Sequence, residues 1–295
     1  MPCYHPLQAW RTDDGKVVFR ERADVHSSLA LPCGRCVGCR LERSRQWSVR
    51  IMHEAAMHDS SSFVTLTYSD EHLPEYGFLR YRDFQLFMKR VVAKFGPTRF
   101  FMCGEYGDDF SRPHYHVGLF GLDFRSDRKL WRKSDAGYLL FRSATLERLW
   151  ALGNSEIGDL TRESAAYMAR YTFKKVNGDL AADHYRFVVP DTGEVLQRPQ
   201  EFARMSLRGG GIGKPWFERF HRDVYPHDRV VVGGVEAKPP RYYDVLLERM
   251  NPELAEELKQ ARIESAKLRQ ADNTPERLAV RELVTKARVS TFRRK

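Results

Sequence analysis

The segment Pro113-His-Tyr-His-Val-Gly-Leu-Phe120 constrains the fold of this chain more than any other stretch. Successive side chains of a β-strand leave on opposite faces. Read as a strand, the segment sends Tyr115, Val117 and Leu119 into a core and stands His114 and His116 side by side on the other face. A sheet with one covered face and two imidazoles on the other is the minimum that satisfies it. Phe63-Val-Thr-Leu-Thr-Tyr68 is β-branched and aromatic, and reads as a second strand. Arg99 to Cys103 reads as a third, joined to Tyr115–Phe120 by a polar loop from Gly104 to Pro113.

Helical spacing occupies the rest. Leu41, Trp47, Ile51 and Ala55 predict an amphipathic helix from Arg40 to about His58. Phe84, Phe87, Met88, Val91 and Val92 predict another over Tyr81–Phe95, stopped by Gly96-Pro97. Leu140 to Leu152 reads as a helix closed by Gly153-Asn154. Thr161 is the expected N-cap of a helix from Arg162 to Lys175, with Glu163 in its first turn. A hairpin is expected across Asp191-Thr-Gly193. From Asn251 the chain is charged and helix-forming with few large apolar residues, which predicts exposed helices. The expected organisation is therefore an irregular, cysteine-rich segment over 1–39, an α+β domain over 40–240 and a charged helical tail over 241–295.

Two imidazoles on one face can hold a divalent metal, and a hard oxygen donor beside them would suit Mg²⁺ or Mn²⁺ acting on phosphates. Glu105, at the end of the preceding strand, is the first choice for that third ligand, with Asp108 and Asp109 in reserve. The competing reading is a pair of partly exposed histidines at a sheet edge. Gly118 removes a side chain where a helix could come close. In the helix that follows, Tyr167 and Tyr171 are four residues apart and share one face, which Lys174 and Lys175 extend by a turn. A phenol can act as a nucleophile, and a nearby cation favours its phenolate. Taken alone, such a tyrosine pair is more often a packing stripe, here among Ala165, Ala166 and Ala169, and it gains its meaning only together with the histidine motif.

Cys33, Cys36 and Cys39 supply three thiols at Cys-x-x-Cys-x-x-Cys spacing, and Cys3 could complete a tetrahedral structural Zn²⁺ site. Free thiols and an iron–sulfur cluster remain open. Arg35, Arg40, Arg43 and Arg45 could grip DNA or simply form a solvated helix face. With 42% hydrophobic and 12% aromatic residues the chain is globular rather than disordered, and its net charge of +10 favours an anionic partner such as nucleic acid. No apolar run approaches the roughly 20 residues of a membrane span. Met1-Pro-Cys-Tyr-His5 lacks the basic and apolar blocks of a signal peptide. A cytoplasmic protein without membrane partners is expected, its cysteines serving as ligands or thiols rather than disulfides.

At these residues the chain resembles the HUH endonucleases, in particular the rolling-circle replication initiators of microviruses, and within them the gokushovirus branch. Phe63–Tyr68 resembles the family's first motif. His114-Tyr-His116 matches its His-hydrophobic-His motif, and Tyr167-Met-Ala-Arg-Tyr171-Thr-Phe-Lys174 matches its Tyr-x-x-x-Tyr-x-x-Lys motif. The likeness extends through Pro32–Arg40 and Gly211-Ile-Gly-Lys-Pro-Trp-Phe217, covering about residues 30–245. It implies a central antiparallel sheet of about five strands, with a metal on one face and the tyrosine helix across it. It further implies site-specific nicking of single-stranded origin DNA through a 5′-phosphotyrosine. Glu105, His114 and His116 would hold Mg²⁺ or Mn²⁺, while Tyr167, Tyr171 and Lys174 act on the phosphate. The second tyrosine would cleave the regenerated origin after a round of copying. Host helicase and replication polymerase are the implied partners, in the cytoplasm of a bacterial host. Two alternatives are a relaxase- or transposase-type strand transferase and a non-catalytic single-stranded-DNA-binding protein. Motif order and the tyrosine pair argue against the first, and the joint presence of histidines and tyrosines against the second.

Overall fold

The computed structural model describes residues 3–107, 110–171 and 180–292. The chain divides into two compact units, one formed by residues 1–43 with 250–295 and the other by 44–249. The first unit opens with β1 (Leu7–Thr12), β2 (Val17–Val18) and β3 (Val25–Leu31), an antiparallel sheet in the order β2-β1-β3. This corrects the expectation of an irregular N-terminus: Asp13-Asp14-Gly15 makes a tight turn, Gly15 adopting φ +81°, between segments whose alternation is weak. Helix α1 (Val37–Ala55) begins in this unit and ends in the other.

The second unit continues with β4 (Ser61–Thr67), α2 (Tyr81–Phe95), β5 (Arg99–Tyr106), β6 (Pro113–Phe120), β7 (Lys129–Lys133) and β8 (Leu139–Arg142). Then come α3 (Ala144–Trp150), β9 (Ser155–Asp159), α4 (Arg162–Tyr171), α5 (Leu180–His184), β10 (Arg186–Val188), β11 (Val195–Gln197) and β12 (Phe202–Met205). It closes with α6 (Lys214–Val224), the hairpin β13 (Val230–Val232) and β14 (Val235–Ala237), and α7 (Arg241–Met250). Helices α8 (Pro252–Lys267) and α9 (Pro275–Phe292) return to the first unit.

Among the described residues, seven strands form one antiparallel sheet in the order β12-β5-β6-β4-β9-β8-β7. The fold is α+β as expected, and the sheet is larger than five strands. The alternation in β4 and β6 buries Val64, Leu66, Tyr115, Val117 and Leu119 on one face, against Phe84, Phe87 and Val91 of α2 and Leu146 and Trp150 of α3. The opposite face presents Phe101, Cys103 and Phe120, covered by Ile51 of α1 and by Ala165 and Met168 of α4. The expected helix over Leu140–Leu152 is in fact a strand followed by a helix. Ser143 ends the strand because its hydroxyl caps α3, accepting from the Leu146 amide at 3.1 Å, while donating to Asp127 at 2.6 Å.

Helix α4 starts where Thr161 was expected to cap it. The Ser164 amide donates to Thr161 Oγ1 (3.3 Å) and the Thr161 amide to Ser164 Oγ (2.8 Å), a reciprocal cap. The expected extension to Lys175 lies outside the described residues. A Cβ added to Gly118 would stand 3.2 Å from Met168 Cε, so the absence of a side chain there lets α4 lie close over the sheet.

Candidate functional site

Backbone register, not side-chain reach, assembles the site. In the β5–β6 hairpin Glu105 pairs with His114 and Cys103 with His116, and across β4 His116 pairs with Thr65 and His114 with Thr67. Glu105, His114 and His116 therefore share one face. Glu105 Oε1 lies 2.8 Å from His114 Nε2 and 3.0 Å from His116 Nε2, and one ligand atom from each residue falls within 4.8 Å of the others.

The outer nitrogens of both rings are held as well. His114 Nδ1 is 3.1 Å from the Arg112 carbonyl, which can only accept, so that nitrogen carries a proton. His116 Nδ1 lies 3.0 Å from Thr65 Oγ1. Such partners orient imidazoles so that Nε2 faces an ion. Glu105 is only 2% exposed. Burial alone would raise its pKa, but the two imidazole hydrogen bonds and their charges outweigh it and hold the carboxyl down to about 2. The carboxylate is thus anionic at neutral pH, as a metal ligand must be. Two imidazoles and a buried carboxylate converging on one point fit a divalent ion.

Tyr167 comes to this site from α4. Its ring stands edge-on to His116 at 5.0 Å between centroids and to Phe63 at 6.1 Å, while Phe63 stacks on His116 at 5.5 Å. Arg170 lies 5.8 Å from the Tyr167 ring. Tyr171 is the last described residue of α4, one turn on. Lys174 and Lys175 fall outside the described residues, as do Asp108 and Asp109, so the placement concerns Glu105, His114, His116 and Tyr167. Tyr115, between the two histidines, behaves differently. It is buried on the core face, bonds to Tyr68 Oη at 2.9 Å and to the Arg80 carbonyl at 2.8 Å, and burial pushes its phenol up to about 12.

Beside the histidines the same face opens into a cavity of about 380 Å³ lined by Thr65, Thr67, Trp131, Arg142, Asn154 and Glu156, among others. Trp131 is 55% exposed, and the Arg142 guanidinium lies 5.2 Å from its ring. Neither was singled out by sequence, because β7 and β8 pair through a bulge and show little alternation.

The Gly211–Phe217 segment serves packing. The Gly213 amide donates to the buried Glu54 at 2.7 Å, and Trp216 stacks on His53 at 3.5 Å. Arg45, a candidate for gripping DNA, donates to the Lys238 carbonyl at 2.9 Å. Cys103 is fully buried, and the sulfurs of Cys3, Cys33, Cys36 and Cys39 form a second group of possible ligands.

A wide antiparallel sheet that carries an acid–imidazole–imidazole set under a tyrosine-bearing helix has the build of an HUH-type fold. Comparison with known proteins agrees. Residues 61–176 match the family model of the replication-associated protein ORF2/G2P. The chain is 33% identical to the replication-associated protein VP4 of Bdellovibrio phage phiMH2K, over 86% of this chain and 79% of that one. It is 34% identical to the replication-associated protein ORF2 of Spiroplasma virus 4, over 84% and 81%. With the replication-associated protein ORF4 of Chlamydia phage 1 it shares 30% identity over 78% of this chain and 56% of that one. No solved structure matches it. The chain belongs to the family of phage replication-associated proteins, as a microvirus-type rolling-circle initiator. Among its described residues, no helix is long and apolar enough to cross a membrane.

Proposed function

We propose that the protein starts rolling-circle replication by cutting one strand at the phage origin and keeping the 5′ end on a tyrosine. The observation that carries this reading is the Tyr167 ring 5.0 Å from His116, within the Glu105–His114–His116 set. The phenol oxygen of Tyr167 or Tyr171, losing its proton, attacks the scissile phosphorus. A P–O bond to tyrosine forms as the bond to the 3′ oxygen breaks, and that oxygen takes a proton to become the primer 3′-OH. Lys174 would neutralise a non-bridging oxygen or the leaving group. Mg²⁺ or Mn²⁺, held by Glu105, His114 and His116, would polarise and orient the phosphate. The remaining tyrosine would cut the regenerated origin, and transfer of the first junction would release a circle. Trp131 and Arg142 would receive a nucleotide next to the scissile phosphate by stacking and charge. Host helicase and polymerase would then extend the 3′ end inside the bacterial cell.

The test uses an origin oligonucleotide labelled at its 3′ end, incubated with protein and Mn²⁺. Wild type is expected to yield a labelled protein–DNA adduct, and the Tyr167→Phe/Tyr171→Phe double variant none. Undiminished nicking by the double variant would overturn the tyrosine chemistry.

A further inference from the structure

The second cluster of ligands lies outside the proposed nicking site and belongs wholly to the unit made of residues 1–43 and 250–295. Cys3, Cys33, Cys36 and Cys39 are all free of disulfides, and their four sulfurs lie within 4.8 Å of one another. Sulfurs bonded to a single tetrahedral zinc at ~2.3 Å stand about 3.8 Å apart. Four sulfurs gathered this closely leave room for one ion at their centre and not for a cluster of several irons.

The backbone around them is built for negative charge on sulfur. The Cys33 amide points at Cys3 Sγ (3.3 Å), and the amides of Arg35 and Cys36 at Cys33 Sγ (3.5 and 3.4 Å). The amides of Tyr4 and Cys39 point at Cys36 Sγ (3.4 and 3.5 Å). Amide donors aimed at sulfur stabilise thiolates far more than neutral thiols. Gly34, at φ +73°, makes the turn that brings the Arg35 and Cys36 amides round to Cys33. All-thiolate coordination selects a soft or borderline ion, and the absence of any oxygen donor disfavours Mg²⁺ and Mn²⁺.

The two residues after Cys3 reach the far end of the chain. Tyr4 Oη lies 2.8 Å from Thr285 Oγ1, and His5 Nε2 lies 2.9 Å from Glu282 Oε2 on α9. Glu282 is largely buried and also meets Lys286 at 3.3 Å. Tyr4 therefore holds α9 with its side chain while its amide faces a cluster sulfur.

We propose that Cys3, Cys33, Cys36 and Cys39 bind one zinc ion, and that this ion clamps the N-terminal strap onto α9. Cys3 is the ligand remote in sequence from the other three, so binding it closes a long loop and places Tyr4 and His5 against the helix. The free energy of binding thereby becomes folding free energy for this unit.

The experiment has two readouts. Protein purified without chelators is analysed for metal, and hydrogen exchange is followed before and after zinc is stripped. About one zinc per chain is expected, kept in Glu105→Gln and lost in Cys36→Ser, which separates this site from the histidine set. Cobalt in place of zinc should give thiolate-to-metal charge transfer and the visible bands of tetrahedral four-sulfur coordination. Stripping should speed exchange across Pro275–Phe292 about tenfold or more, with Tyr81–Phe95 unchanged. In case Cys36→Ser fails to fold, Tyr4→Phe/His5→Ala should keep the zinc while loosening α9. Absence of zinc, or cobalt spectra without sulfur bands, would overturn the site. Zinc whose removal leaves α9 exchange unaltered would overturn the clamp.

Discussion

Replacing Glu105 by Gln keeps the shape of the candidate metal site and removes its charge. In the metal-free protein Oε1 accepts from two imidazoles, at 2.8 and 3.0 Å, in a position only 2% exposed. A hydrogen bond to a charged group contributes about 1.5–3 kcal/mol and a neutral one about 0.5–1.5. The two bonds together should therefore lose roughly 2–3 kcal/mol. For a domain of 150–250 residues each kcal/mol moves Tm by about 2–4 °C, so the metal-free variant should melt roughly 4–12 °C lower. The response to metal is the sharper measurement. At Mn²⁺ equal to 100 times its Kd, wild type gains about 2.7 kcal/mol by mass action. Losing even a supporting group of a metal site weakens affinity 10–100-fold. Losing the anionic ligand should reach at least the upper figure, and at the same Mn²⁺ the variant then gains only about 0.4 kcal/mol. Thermal unfolding across an Mn²⁺ series reads both numbers. A variant stabilised by Mn²⁺ as much as wild type would show that Glu105 is not a ligand, whatever its distance from the imidazoles.

Three further outcomes follow from particular contacts. Trp131→Ala should weaken oligonucleotide binding by about 1–3 kcal/mol, the value of one base stacked on an aromatic ring; anisotropy in the Tyr167→Phe/Tyr171→Phe background measures it without cleavage, and unchanged affinity would remove Trp131 from the DNA path. His53 is buried against Trp216, with its Nδ1 2.9 Å from Tyr243 Oη, and burial lowers its pKa to about 3 from an ordinary 6.5. Between those values the unfolded chain holds a proton that the folded chain lacks. Stability should thus fall by about 1.4 kcal/mol per unit as pH drops below 6.5. His53→Phe should remove that one-proton slope in denaturant titrations at pH 4.5–6.5, and an unaltered slope would refute the assignment. Gly153 has φ +152°, and a Cβ there would overlap the backbone of Thr67, Tyr68 and Ser69. Gly153→Ala should cost about 4 kcal/mol or more, and a variant as stable as wild type would contradict this geometry.

Much of the candidate site was legible because its determinants are local. Alternation places His114 and His116 on one face, and an antiparallel hairpin with a short loop then brings Glu105 opposite His114. Gly118 could be read as a gap for a helix for the same reason, since it lies on the imidazole face two residues beyond His116. Legibility ended where the signal is weak or distant. Ser143 divides a stretch whose apolar spacing looks helical throughout, and only its role as a cap tells strand from helix. Lys129–Lys133 is exposed along its whole length, so it shows no buried stripe to mark it as a strand or Trp131 as part of a cavity. The bonds of Tyr4 and His5 to α9 join residues nearly the full chain apart, and no local pattern encodes them.

The anchoring of α4 bears on how two tyrosines could share one metal site. Ala165 and Met168 are fully buried against the sheet, and Met168 fills the space above Gly118. Tyr167 and Tyr171 are four residues apart, which along a helix is a rise of about 6 Å. On the two-tyrosine reading, presenting each phenol in turn to one ion requires a shift of that order by the helix or by the DNA. Moving the helix would drag Ala165 and Met168 out of a packed layer, and uncovering a single methionine side chain already costs about 1.5–3 kcal/mol. The three candidate ligands stand on two hydrogen-bonded strands and cannot follow such a movement. A flexible single strand can advance by one internucleotide spacing at far smaller cost. The buried face of α4 therefore favours a fixed pair of nucleophiles, with the scissile phosphate carried from one to the other.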